Sequence, residues 1–343
     1  FAGVLIACGT SIPPEQTATS RMDSTVTPAP ANTAANTLET QLDQLMLENY
    51  PDFSGTILVA QPGADAIVLS YGFANREHNV PNSPNTKFAI GSITKSFTAM
   101  AIMILEERGF LSVDDPICGY VTNCPDAWQA VTIHHLLTHT SGIPSYTDLL
   151  LEGQIDAELC QDHTTDQVIA FFDERPLDFP PGSRWHYNNS GYFLLGVIIG
   201  NVSGQSYDVF VQDNILQPLG MIDTGYNYDH LIVENRASGY SQDVFEDINA
   251  PCWDVSTQYS AGGLYSTVGD LYTWDQAFYS NELVSTKTLD EISSAAVPTV
   301  LGTRKYGYGW FAFDFSGHQV VEHHGVVFGF VSRLTRYPED LVT

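Results

Sequence analysis

The sequence predicts an α+β protein, an antiparallel sheet flanked by helices, on three observations. The last forty residues alternate apolar and polar side chains between turn signals, the pattern of a half-buried antiparallel sheet. Residues 53–60 and 66–71 read as two strands around Gln61-Pro62-Gly63, a hairpin near the other end of the chain. Between them, residues 150–250 read mainly as helices separated by loops. The 343 residues suffice for one large domain or two smaller ones with a sizeable core. With 40 Asp and Glu against 13 Lys and Arg, the chain lacks the basic footprint that nucleic acid demands.

The chain opens Phe1-Ala-Gly-Val-Leu-Ile-Ala-Cys8. This reads as the tail of a secretory signal. Leu5-Ile6-Ala7-Cys8 also resembles the lipobox of bacterial lipoproteins, in which the cysteine is lipidated, so residues 1–8 are expected to be a truncated signal ending at a lipidation site, Cys8. Residues 9–36 are rich in Thr, Ala, Pro, Ser and Asn, and read as a flexible tether. The order predicts an exported, extracytoplasmic protein whose contact with a membrane is a lipid anchor on the bacterial cell envelope.

A helix is expected over 38–48, with Leu42, Leu45 and Met46 on its apolar side. After the hairpin comes Phe88-Ala-Ile-Gly-Ser-Ile-Thr-Lys-Ser-Phe97, which sets Ser92 and Lys95 at the spacing Ser-x-x-Lys. Phe97, Met100, Ala101, Ile104 and Leu105 then recur at helical spacing, and Gly109 marks a stop. Ser92 is therefore placed at the N-terminus of a buried helix, where unpaired N–H groups favour developing negative charge. Lys95 lies one turn on, and a desolvated amine can take a serine proton.

Further along, Cys118 and Cys124 are close enough for a local disulfide, while Cys160 and Cys252 read equally as a second pair or as free thiols. His135 and His139 stand at the one-turn spacing seen in zinc sites. The Glu of His-Glu-x-x-His is absent, so a short helix ending at Gly142 with hydrogen-bonded histidines is expected there rather than a metal. A helix is expected over 166–172. Tyr187-Asn188-Asn189 falls in the turn before an apolar helix ending near Gly204, and another helix carries Asp270, Leu271 and Trp274. Strands are expected over 306–313, 319–323 and 329–336, with His323-His324-Gly325 on the second.

Ser92-x-x-Lys95, Tyr187-x-Asn189 and His323-x-Gly325, in this order, resemble the serine β-lactamase and penicillin-binding-protein superfamily, on its class C-like branch. The resemblance runs from about residue 38 to 343. It implies a β-lactamase/transpeptidase-like fold, with a sheet domain from 37–115 plus 255–343, a mainly helical domain inserted at 116–254, and the active site between them. It also implies a serine hydrolase that forms an acyl-enzyme on a D-amino-acid peptide, β-lactam or small ester, with no cofactor. The alternatives are a penicillin-binding sensor that does not turn over and a catalytically silent envelope protein.

Under that resemblance Ser92 is the nucleophile, Lys95 takes or relays its proton, and Tyr187 beside the lysine cation shuttles protons as a phenolate. Asn189 binds a substrate amide or steadies Lys95. The backbone N–H groups of Ser92 and Val326 form the oxyanion hole, each donor worth about 3 kcal/mol. Gly325 lets the substrate backbone approach the strand. His323 stands where many β-lactamases carry lysine. A partly protonated imidazole is a weaker carboxylate anchor, which favours a D,D-peptidase or esterase over an efficient β-lactamase. His324 is expected to face away from the site.

Overall fold

A computed structural model describes residues 37–155, 159–242 and 246–343. Cys8, the signal-like stretch and the tether-like stretch lie outside the described residues. Helix α1 (Leu38–Asn49) begins after Thr37, whose side chain accepts from Thr40 N. Leu42 and Met46 are half-buried and Leu45 is exposed, so the expected apolar face is only partly covered. Strands β1 (Gly55–Val59) and β2 (Ile67–Tyr71) form the expected antiparallel hairpin. Short strands β3 (Phe73–Asn75), β4 (Val80–Pro81) and β5 (Phe88–Ala89) lead to the central helix α2 (Thr94–Glu107).

Helix α2 is buried on every side from Thr94 to Leu105, not on one apolar face. Its polar residues are tolerated because each finds a partner inside the protein. Thr94 Oγ1 accepts from Leu264 N, Ser96 Oγ accepts from Trp274 Nε1, and Thr98 Oγ1 donates to Ser260 O. Phe97 stacks on Trp274 with ring centres 4.1 Å apart.

The middle of the chain supplies α3 (Ile133–Leu137), α4 (Tyr146–Leu151), α5 (Thr165–Ile169), α6 (Asn189–Ser203) and α7 (Tyr207–Val211). Helix α6 ends on Gly204, whose positive φ of 71° suits glycine. This region is less purely helical than its sequence suggests. Strand β6 (Gly225–Tyr226) and the hairpin of β7 (Tyr240–Gln242) and β8 (Asp247–Asn249) follow the helices. After α8 (Val255–Gly262), strand β9 (Leu264–Ser266) lies between β5 and β6. Helices α9 (Val268–Ala277) and α10 (Thr286–Ser294) then precede a five-stranded antiparallel sheet: β10 (Val297–Pro298), β11 (Lys305–Gly307), β12 (Trp310–Phe315), β13 (His318–Val327) and β14 (Phe330–Arg336), in that order.

The single strand expected over 306–313 is a hairpin instead. Tyr306 pairs with Phe311 and Gly307 with Trp310, so the chain reverses at Tyr308-Gly309, both at positive φ (46° and 88°). A two-residue reversal of this hand normally uses Asn-Gly, which is why Tyr-Gly gave no turn signal. Tyr308 is held there by burial and by a hydrogen bond with His134 Nδ1 (3.1 Å). Gly309 is required because a Cβ would lie 2.7 Å from Ser96 Cα on α2.

Cys118 and Cys124 form a disulfide. Cys160 and Cys252 are free and exposed, yet their thiols are hydrogen-bonded to each other. The adjoining backbones are tied by Asp254 N donating to Leu159 O at 2.6 Å. The contact with Cys160, together with burial and the nearby Asp229 and Asp254, pushes the Cys252 thiol up to about 11. Thiolate being the reactive form, oxidation is expected to be slow at neutral pH and to quicken in alkali. Incubation with oxidised glutathione in mild alkali should yield a Cys160–Cys252 cross-linked peptide in a non-reducing digest. Two thiols that stay titratable with Ellman's reagent would refute that pairing.

Candidate active site

Ser92 sits in a one-turn 3₁₀ segment, Gly91–Ile93, that runs directly into α2. Lys95 Nζ lies 3.1 Å from Ser92 Oγ, 2.7 Å from Asn189 Oδ1 and 2.8 Å from Ala261 O. The amine also stands over the rings of Tyr187 (4.9 Å) and Tyr192 (5.5 Å). Lys95 is wholly buried, and that burial pushes its amine well below the ordinary lysine value. A neutral amine has two N–H bonds and one lone pair. The Asn189 and Ala261 oxygens can only accept, so they take the two N–H bonds. In that neutral form the lone pair is left for the Ser92 hydroxyl, the arrangement of a general base.

Ala261 is a site residue that its sequence context did not single out. Its carbonyl lies in the last turn of α8, where carbonyls lack a helical partner, and α8 is kinked just before it at Tyr259, where φ is 41° and ψ is −130°. A non-glycine residue held there stores strain of order 1–3 kcal/mol. The Tyr259 ring holds the kink by packing on Phe193 and Tyr207, with centres 5.0 and 5.2 Å away. The break turns successive carbonyls toward α2: Ser260 O accepts from Thr98 and Ala261 O from Lys95.

The Tyr187 hydroxyl is hydrogen-bonded to Ser92. Burial pushes this phenol above its ordinary value, and the bond with Ser92 offsets only part of that shift. The expected phenolate is therefore corrected. Burial outweighs what lowers the value, so Tyr187 acts as a phenol that receives one proton while giving another. Its ring packs on His139, centre to centre 4.4 Å. His139 lies past the end of α3 at a positive φ of 58°, so it shares no helical face with His135. His135 Nδ1 accepts from Thr132 N as a cap, and His139 Nδ1 accepts from Asn188 N at 3.1 Å, fixing the turn that carries Tyr187 and Asn189. Asn189 is oriented in turn by Nδ2 donating to Thr147 Oγ1 at 2.9 Å.

On β13, two expectations change. His323 is 1 % exposed, with Nδ1 2.7 Å from His324 O and Nε2 3.1 Å from Tyr306 Oη. Burial, then the Lys95 charge, push its imidazole down to about 3, so it is uncharged and is not a carboxylate anchor. Gly325 does not leave room for substrate. A Cβ there would fall 1.9 Å from Ile90 O and 2.3 Å from Ser332 Oγ, so the missing side chain lets β13 dock on the Ser92 turn. Gly91, at φ +49°, completes the contact, since a Cβ on it would lie 2.9 Å from Val326 N. The peptides of Ser92 and Val326 are thereby brought to one locus, the arrangement an oxyanion hole needs. His324 faces away and pairs with Glu322 at 3.1 Å. Gly325→Ala should displace Val326 and lower kcat by about 10²–10³-fold, the loss for one oxyanion donor. Single-turnover kinetics would check this, and an unchanged rate would count against Val326 as a donor.

The family model for beta-lactamase matches residues 45–341. The chain belongs to the beta-lactamase family. It is 29 % identical over 301 residues to penicillin-binding protein 4* of Bacillus subtilis, covering 83 % of this chain and 65 % of that protein. The chain thus spans less than two thirds of that relative's length. Among solved structures, a penicillin-binding protein from Bacillus halodurans aligns with a TM-score of 0.78 at 31 % identity, covering 87 % of this chain and 91 % of that one. The D-amino acid amidase of Ochrobactrum anthropi SV3, complexed with L-phenylalanine amide, aligns with a TM-score of 0.73 at 25 % identity, covering 84 % and 83 %. These family likenesses fit the α+β architecture and the antiparallel sheet described above.

Proposed function

We propose that the protein is a serine hydrolase that forms an acyl-enzyme on Ser92 with a D-amino-acid amide, D-amino-acid peptide or small ester. The observation that carries the reading is the buried Lys95 amine, 3.1 Å from Ser92 Oγ and held by the Asn189 and Ala261 oxygens. Lys95 removes the serine proton as Oγ attacks the carbonyl. Tyr187 passes a proton to the leaving nitrogen or oxygen, and a water then attacks the acyl-enzyme by the reverse route. The penicillin-binding and D-amino acid amidase relatives support D-configured substrates for this chain too. The Cys118–Cys124 disulfide supports an extracytoplasmic location.

The test is a panel of a p-nitrophenyl ester, D-phenylalanine amide, a D-Ala-D-Ala peptide and nitrocefin, run with the wild type and Ser92→Ala. Turnover of the ester or amide that disappears in Ser92→Ala is expected, with nitrocefin cleaved far more slowly. A fluorescent-penicillin adduct that forms on Ser92 and never clears, with no turnover of any member, would overturn the reading in favour of a sensor.

A further inference from the structure

We propose that Trp253 and Phe328 form the subsite for the acyl half of the substrate: a pair of rings at the end of β13 that selects acyl groups carrying an aromatic or bulky apolar side chain. This rests on the hydrolase reading above and deepens it to the class of acyl donor.

The direction of the substrate follows from the site. Its carbonyl oxygen lies between the Ser92 and Val326 peptides, so its carbonyl carbon stands over Ser92. The leaving group must meet the Tyr187 hydroxyl, which is hydrogen-bonded to Ser92. The Tyr187 ring stands 6.2 Å from that of His323, three residues before Val326. The leaving group therefore lies over the His323 end of β13, and the acyl group extends the other way, past Val326. Phe328 is two residues beyond Val326, about 7 Å along the chain, within the span of an acyl group that carries one ring.

At that end the protein presents two rings held in place yet open to solvent. Trp253 and Phe328 pack with centres 4.8 Å apart and planes at 49°. Phe328 is 40 % exposed and Trp253 is half-buried. The apolar surface continues over Val326 and Val331, which face each other across β13 and β14 and are both exposed. An uncovered apolar surface continuous with a reactive centre is a place for an apolar part of the ligand.

Both rings are fixed from behind. The turn carrying Phe328 is seated against the chain at Gly239 and Ala250: a Cβ on Gly329, at φ +80°, would lie 2.6 Å from Gly239 Cα and 2.7 Å from Ala250 Cβ. Trp253 follows Ala250 by three residues and is anchored by Nε1 donating to Thr257 Oγ1 at 2.5 Å, inside the first turns of α8. The same helix supplies Ala261 O to Lys95 at its other end. The ring pair is thus built on the two elements, β13 and α8, that also carry the oxyanion donor and a Lys95 acceptor, and rigid aromatic walls order a bound ring at little entropic cost.

The experiment compares p-nitrophenyl phenylacetate with p-nitrophenyl acetate, which share a leaving group, and benzyl acetate with ethyl acetate, which move the ring to the leaving side. In the wild type the phenylacetyl ester should have the higher kcat/KM, after correction for the two esters' rates with hydroxide. In Phe328→Ala and Trp253→Ala the phenylacetyl-to-acetyl ratio should fall about tenfold, and Phe328→Leu should recover much of it. The benzyl-to-ethyl ratio should be the same in every variant. Loss of both p-nitrophenyl esters in equal proportion, the result of a merely structural role, would overturn the proposal. So would a fall in the benzyl-to-ethyl ratio instead, which would put the rings on the leaving side.

A binding measurement keeps this separate from catalysis. Phenylacetamide is titrated into Ser92→Ala and followed by the indole N–H signal of Trp253, which Trp253→Phe assigns. The signal should move with phenylacetamide and stay still with acetamide. An unmoved signal overturns the subsite whether or not any ester is cleaved. A signal that moves while no ester is turned over upholds the ring site and fails the hydrolase reading instead.

Discussion

Lys95→Met is expected to lower kcat/KM for any substrate by about 10³-fold, within the range lost when a positioned proton-transfer group is removed. Methionine keeps the unbranched length and the packing but has no lone pair basic enough to take the Ser92 proton. The same variant separates catalysis from stability. Burial that lowers the Lys95 amine costs the fold stability at pH values below the ordinary lysine range. Against this, methionine leaves Asn189 Oδ1 and Ala261 O without their donor, at about 1–3 kcal/mol each. The two effects oppose each other at neutral pH, and the pH dependence separates them. A lysine whose folded value is lowered binds fewer protons folded than unfolded, so stability rises with pH between that lowered value and about 10.4. Denaturant melts from pH 6 to 10 should show the wild type gaining on Lys95→Met as pH rises. Parallel profiles would mean that Lys95 carries an ordinary ammonium, and the general-base assignment would go with it.

Asp275→Ala is expected to cost about 3–5 kcal/mol and to lower the melting temperature by on the order of 10 °C. Asp275 on α9 pairs with Arg336 on β14, their side chains 2 % and 6 % exposed. The guanidinium also lies over the rings of Phe278 (4.5 Å) and Tyr279 (4.9 Å). Removing the carboxylate strands a cation among aromatic groups with no water to solvate it. Replacing both partners, as in Asp275→Leu with Arg336→Met, should recover most of the loss, because the cost lies in the orphaned charge rather than in the missing bond. Thermal melts of the single and double variants check this. A single variant as stable as the wild type would show that water reaches Arg336.

The chemistry-bearing residues were legible in the sequence wherever local spacing carries the information. Ser92 and Lys95 meet because three residues make about one helical turn. Asn189 follows Tyr187 at a helix start that the apolar run after it announces, and His323 and Gly325 share a strand face by alternation. The antiparallel character of the C-terminal sheet and the first hairpin were equally local.

The turn at Tyr308-Gly309 was not legible. It depends on Ser96 and His134, far away in the chain, which exclude a side chain at one position and hold the tyrosine at the other. Nor was the docking role of Gly325, because the carbonyl that fills its empty side comes from Ile90. By itself the sequence determined which groups stand at the site. Their ionisation was decided by the tertiary structure alone: burial between Asn189 and Ala261 lowers the Lys95 amine, and burial beside Lys95 lowers the His323 imidazole. Ionisation depends on how much water surrounds a group and on which atoms replace that water, and residues distant in the chain supply both.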